Sequence, residues 1–243
     1  MKQPWHRAAP ALFAQLRADV EAFCSTLHTS VDNDDVVRIR GTFPVRHGNE
    51  ELDRYGVEIE LPLEYPDRLP IVRETAGRIP WEADRHNSNG IVCVLLPEDR
   101  WWSFPPEKPF LEYLTVPLHN YFLGQSLVEA GGTWPFSEHR HGLDGIIDFY
   151  KERFGTEDAK AAVLLLKLVA AGRFRGHWEC PCGSGKKLRR CHWRGLVDVT
   201  NRMPRWAAQK SLDDIFTAAS RAERDSSSQN TLRLSTGPKL VRP

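Results

Sequence analysis

Apolar residues recur at three- and four-residue steps through residues 10–28, where Leu12, Leu16, Val20, Phe23 and Leu27 fall on one face and predict an amphipathic helix. Cys24 lies beside that stripe and reads as packing rather than chemistry. Asp32-Asn33-Asp34-Asp35 then breaks the pattern. Alternation replaces the helical period in Val37-Arg38-Ile39-Arg40 and Val57-Glu58-Ile59-Glu60-Leu61. Strands are predicted over 36–45, 54–62 and 71–79, in an antiparallel sheet wet on one face. Pro66, Pro70 and Pro80 end these runs. Residues 81–106 have no clean period and read as a long ordered loop. Helical spacing returns over 107–123, with Phe110, Leu111, Leu114, Leu118 and Tyr121 on one side and Pro117 expected to perturb it. After a loop at Gly131–Pro135, a helix is predicted over 142–154, burying Ile146, Ile147, Phe149 and Tyr150. Residues 157–171 have strong helix propensity, 205–224 suit one more helix, and Ser226-Ser227-Ser228 onward reads as a flexible tail. A helix, three or four antiparallel strands, a loop and then helices is an α+β order.

With 243 residues, 41% hydrophobic and 27% charged, the chain can bury one sizeable core plus an appendage. No apolar run approaches the length of a membrane span, and Met1–Arg7 lacks the apolar block of a signal peptide. The net charge of +1 conceals an asymmetry: residues 1–172 carry 18 Lys/Arg against 26 Asp/Glu, and residues 173–243 carry 15 against 6. Two readings fit, a pair of solvated surfaces that attract weakly, or a basic end for an acidic partner or nucleic acid. Of five cysteines, three lie within residues 180–191, which argues for metal rather than disulfides and for a reducing cytoplasm.

The remaining chemistry centres on His86-Asn87-Ser88-Asn89-Gly90-Ile91-Val92-Cys93, a lone cysteine just after a turn-forming Asn-Gly. Upstream lies Tyr65-Pro66-Asp67-Arg68-Leu69-Pro70, and Trp101 follows Cys93 by eight residues. Together these resemble the ubiquitin-conjugating enzymes, which carry a Tyr-Pro-x-x-Pro segment, an Asn-Gly-x-x-Cys active site and a tryptophan at that spacing. The resemblance runs from about residue 10 to 155 and implies a ubiquitin-conjugating (UBC-like) fold: an N-terminal helix, an antiparallel sheet of about four strands, and C-terminal helices. It makes Cys93 a thioester-forming nucleophile, supported by Tyr65, Asn89 and Trp101; a buried structural thiol is the alternative. His86 matches the histidine of the eukaryotic His-Pro-Asn motif, but the proline is absent and no asparagine carries over, so the lysine-ligation step departs from the family. Trp134-Pro135 followed by His141-Gly142 resembles a segment of bacterial relatives, making His141 a base or oxyanion donor with His139 behind it. Alternatively, His141 caps the following helix or packs on Trp134.

Cys180-Pro181-Cys182-Gly183-Ser184-Gly185 and Cys191-His192 offer three thiols and an imidazole, the soft and borderline donors of a closed tetrahedral zinc site. The stretch resembles the SEC-C motif, known from the C-terminus of the translocation ATPase SecA. Lys186, Lys187, Arg189 and Arg190 between the ligands make a basic knob, either solvated or for docking. The expected organisation is a UBC-like catalytic domain at 1–155, a connecting helix at 156–176, a zinc module at 177–196 with structural Zn(2+), and a C-terminal helix and tail at 197–243. The resemblances imply a cytoplasmic acyl transferase of antiphage defence (CBASS) type. Its partners would be an activating-enzyme-like protein and an acyl donor, either a ubiquitin-like protein or a nucleotidyltransferase C-terminus. Membrane is not expected, and nucleic acid is the lesser expectation. The rivals are a non-catalytic UBC-like module and a SEC-C adaptor.

Overall fold

The computed structural model describes residues 3–82, 86–88, 90–136, 140 and 142–235. The chain is mixed α/β, and its contacts divide it into two units, residues 1–138 and 139–243.

The first unit opens with helices α1 (Trp5–Ala8) and α2 (Pro10–Phe23), the latter with proline in its first turn, where a missing N–H costs nothing. A six-stranded sheet follows, in the order β1-β2-β3-β4-β6-β5, with every pairing antiparallel. Its strands are β1 (Leu27–Val31), β2 (Val37–His47), β3 (Glu50–Leu61), β4 (Ile71–Glu74), β5 (Asn87–Ser88) and β6 (Ile91–Val92). The register of β2 on β3 pairs Val37 with Leu61, Ile39 with Ile59 and Phe43 with Tyr55, all buried. The intervening residues pair Arg38 with Glu60 and Arg40 with Glu58, joined by ion pairs of 3.1 and 2.7 Å. One face is therefore core and the other a charge ladder, as the alternation predicts.

Helices α3 (Arg100–Ser103), α4 (Phe110–Tyr113) and α5 (His119–Glu129) complete the unit. Asp19 of α2 accepts from the Leu111 amide at 3.1 Å and so satisfies the start of α4. Between α4 and α5 the turn Leu114–Leu118 is a π-helix containing Pro117, whose ring has no N–H for an ordinary i→i−4 bond. Leu16, Val20, Phe43, Tyr55, Ile59, Phe110, Leu114, Leu118 and Phe122 meet in one core.

Several expected boundaries are corrected. Among the described residues the sheet has six strands rather than about four, because the predicted loop at 81–106 contains β5 and β6 and because β1 begins at Leu27. The helix predicted over 10–28 stops at Phe23, where Cys24 turns extended at φ −164°. The strand predicted over 71–79 stops at Glu74, whose carboxylate accepts from the amides of Ala76 (2.7 Å), Arg78 (2.8 Å) and Ile79 (3.4 Å) and folds the chain into a turn.

The second unit packs α6 (Gly142–Phe154), α7 (Ala159–Ala171), α8 (Trp193–Arg202) and α9 (Arg205–Ser235). Asp158 caps α7 through the Lys160 amide at 2.9 Å, and Gly172 ends it at φ +61°. The expected boundary at 155 is therefore misplaced: Phe149, Tyr150 and Phe154 of α6 are buried, and α6 packs with α7, α8 and α9. The expected connecting helix is core as well, since Ala161, Ala162, Leu165, Leu166 and Val169 of α7 are buried. Helix α9 continues through the serine run predicted to be tail, with no Gly or Pro between Arg205 and Ser235 to stop it. Among the described residues no helix is long and apolar enough to cross a membrane.

Candidate functional site

Cys93 follows β6 directly, at the end of a small antiparallel pair in which Asn87 faces Val92. Its amide donates to the His86 carbonyl at 2.7 Å, and the Tyr121 hydroxyl reaches the same carbonyl at 3.4 Å. His86 adopts a left-handed φ of +50°, and its ring stacks on Trp134 with centroids 4.6 Å apart. Thus the backbone of His86 positions the cysteine while its imidazole faces Trp134. Asn87, six residues before Cys93, is buried, and its amide nitrogen donates to the Ile79 carbonyl at 3.1 Å. Asn89, His139 and His141 lie outside the described residues.

The Cys93 residue is exposed, yet enough protein surrounds its sulfur for burial to push the thiol up; the Glu98 carboxylate adds to that push. Three neighbours carry no motif signal. Glu98 is buried, and burial of a carboxylate near a thiol is visible only in three dimensions. Arg100, also buried, donates to the Asp67 carbonyl at 2.5 Å and lies over the Trp101 ring at 4.7 Å. It thereby ties the Tyr65-Pro66 segment to the helix that holds Trp101. Trp81, 69% exposed, covers Gly90, where a Cβ would lie 3.4 Å from its ring. Tyr65 is buried against Trp5, with centroids 4.8 Å apart, and Trp101 is buried as well.

Because burial and Glu98 both oppose the thiolate, Cys93 should alkylate more slowly than a free cysteine at neutral pH. Its rate should climb about tenfold per pH unit past the ordinary thiol value of about 8.5. Glu98→Gln should bring that profile toward lower pH. Peptide-resolved iodoacetamide labelling measures it, and a profile that levels below the free-thiol value would contradict the burial.

The second constellation is built on a short ribbon. Cys180 N donates to Lys186 O and Leu188 N to Trp178 O, both at 2.8 Å, with Glu179 bridged to Lys187. Gly183 and Gly185 make the turn at φ +78° and +70°, where a Cβ is disfavoured. A 3-10 turn at Leu188–Arg190 then delivers Cys191, and His192 is the residue before α8. The sulfurs of Cys182 and Cys191 are 3.6 Å apart, and His192 Nδ1 is 3.2 Å from Cys180 Sγ and 3.4 Å from Cys191 Sγ. All four donor atoms lie within 4.8 Å of one another. A tetrahedron with metal–sulfur bonds of ~2.3 Å has sulfur–sulfur edges of about 3.8 Å, so this spacing fits a single metal ion such as zinc.

Ser184, which the ligand pattern does not single out, places Oγ 3.2 Å from Cys182 Sγ and 3.5 Å from Cys191 Sγ. Burial raises the Cys180 thiol to about 11. At Cys182 burial acts the same way, but the hydroxyl and backbone N–H of Ser184 outweigh it and bring the thiol down to about 6. The thiolate is the metal-binding form, so Cys182 is the ligand most ready to bind.

Three thiols and one imidazole so placed could hold one metal ion, with no ligand position left over. Residues 179–194 match the family model of the SEC-C motif. Comparison of the chain with curated proteins finds no match.

Proposed function

We propose that the chain is a ubiquitin-conjugating-like acyl transferase that forms a thioester on Cys93, with its SEC-C motif binding zinc in a structural role. The observation that carries this reading is an exposed cysteine at the end of β6 whose amide is fixed to the His86 carbonyl. In this reading the UBC-like fold is the first unit. The Cys93 thiolate attacks the carbonyl carbon of a thioester on an activating-enzyme-like protein, and that enzyme's thiolate leaves. The acyl group, from a ubiquitin-like protein or a nucleotidyltransferase C-terminus, then passes to a target amine, which loses a proton as the Cys93 sulfur departs. Exposure suits the first step, which needs an accessible sulfur more than a strong base. The second step needs an oxyanion donor and a base, the roles assigned to His141, His139 or His86. Such an enzyme would act in the cytoplasm, in antiphage defence of the CBASS type. Zinc would fold the SEC-C motif and contribute no chemistry to the transfer.

One observation favours a non-catalytic binding module instead: the Asn87 side chain is buried, with its amide nitrogen bonded to the Ile79 carbonyl. Mass spectrometry of the protein co-expressed with its neighbouring genes separates the two. A reductant-sensitive adduct on Cys93 is expected, lost in Cys93→Ala, converted to a reductant-resistant ester in Cys93→Ser and unchanged in Cys24→Ser. An adduct that survives Cys93→Ala would overturn the enzyme reading, and no adduct in the wild type would favour the module.

A further inference from the structure

Between residues 173 and 194 lie seven Lys/Arg and one acid, Glu179. All seven cations are exposed, and none makes an ion pair with a described residue. The contrast within the same chain is sharp. Arg38 pairs with Asp32, Asp34 and Glu60, and Arg78 pairs with Asp53 and Glu129. Crowding like charges without partners costs stability, so the cluster calls for an anion from outside.

The ribbon gives the cluster its form. The Arg189 amide donates to the Gly176 carbonyl at 2.9 Å and that of Leu188 to Trp178, so the turn from Arg175 to Trp178 lies beside Leu188 and Arg189. Leu188 is buried beneath, which anchors the ribbon, while Trp178 remains 41% exposed among the cations. An acidic peptide would use the charges and leave the indole idle. A single-stranded nucleic acid uses both, with phosphates on the cations and an unstacked base on the indole. A duplex keeps its base faces stacked and hidden.

We propose that this exposed face of the metal module, with Trp178 among Lys186, Lys187, Arg189 and Arg190, is a binding surface for single-stranded nucleic acid. The surface belongs to the second unit and does not depend on Cys93 chemistry.

The test uses the full-length, zinc-loaded protein and fluorescence anisotropy of labelled dT20 and U20 across roughly 50–200 mM salt. Binding to either strand is expected, with the tighter one naming DNA or RNA as the source. With about four phosphates engaged, the logarithmic salt slope should be about −3. K186E/K187E/R189E/R190E should weaken binding at least about 100-fold and flatten that slope, and K186A/K187A should do so partially with metal content intact. Trp178→Ala should cost about tenfold while leaving the slope unchanged, and should not alter the weaker binding of a duplex of equal length. The proposal fails if neither strand binds at the lowest salt or if K186A/K187A binds as wild type. It also fails if Trp178→Ala leaves strand binding unchanged, or if an oligoglutamate peptide or anionic vesicles displace the strand at lower charge concentration.

Discussion

Cys182→Ser is expected to empty the metal site and open residues 177–196 to proteolysis while leaving the first unit intact. Serine keeps its proton at neutral pH and offers no soft donor, so the site falls to three ligands, and it loses the thiol most easily ionised. Little else folds this stretch: between the ligands only Leu188 is buried, and Gly183 and Gly185 hold left-handed conformations with nothing within 4 Å of a Cβ. In small zinc modules metal binding is worth about 10–16 kcal/mol, far more than one side chain and a few backbone hydrogen bonds. Elemental analysis should fall from one zinc per chain to none. Trypsin should then cut after Lys186, Lys187, Arg189 and Arg190, sites the metal-bound turn protects. The core of the first unit draws on residues between Trp5 and Trp134, so its fragment should persist in the digest. Wild-type protein without bound metal, or an unchanged digest of the variant, would refute this.

Phe122→Ala should be the most damaging single truncation in the first unit. The ring is fully buried, stacks on Tyr55 at 4.7 Å and meets Phe43 at 5.2 Å, joining α5 to both central strands. Removing a buried phenylalanine costs about 3–5 kcal/mol, because the lost transfer energy is compounded by a cavity its neighbours only partly fill. For a unit of this size that corresponds to a fall in Tm of about 10 °C or more. Leu127→Ala, on the exposed side of the same helix, should shift it by less than about 2 °C. Calorimetry of the two variants decides the matter, and equal shifts would mean the helix is not docked through Phe122.

What the sequence disclosed depended on whether the signal was local. Alternation exposed β2 and β3 because one strand face is core and the other is the Arg38–Glu60 and Arg40–Glu58 ladder. The grouping of Cys180, Cys182, Cys191 and His192 was legible, since the ribbon that gathers them spans few residues. β1 was hidden because Leu27 continues the helical stripe of α2; the strand forms only where Gly41 allows β2 to approach. A Cβ at Gly41 would lie 1.9 Å from the Thr26 carbonyl oxygen. The boundary between units escaped for a similar reason, as an amphipathic α6 reads the same whichever core receives its apolar face. Glu98 and Arg100 gave no signal at all: a charged residue announces its burial only once the fold closes over it. Around Cys93 the sequence named a thiol that the fold leaves exposed. It did not show that His86 contributes its carbonyl to the cysteine and its ring to Trp134.

The π turn at Leu114–Leu118 carries a consequence for how this chain tolerates change. Among the buried positions from Phe110 to Gln125, the run 110, 114, 118 and 122 advances by slightly more than an α-helical turn at each step, and the wide turn absorbs the surplus. It acts as a gear that resets the helix by a fraction of a rotation, so that Phe110 ahead of it and Phe122 behind it address the same core. Deleting one residue there would let the turn wind ordinarily with that aim kept, whereas ordinary winding at full length would swing everything downstream by about 100°. Phe122 and Tyr121 would then point away from the sheet, and the Tyr121 hydroxyl would leave the carbonyl that also anchors Cys93. In this chain the length of one turn sets the aim of a side chain on another element.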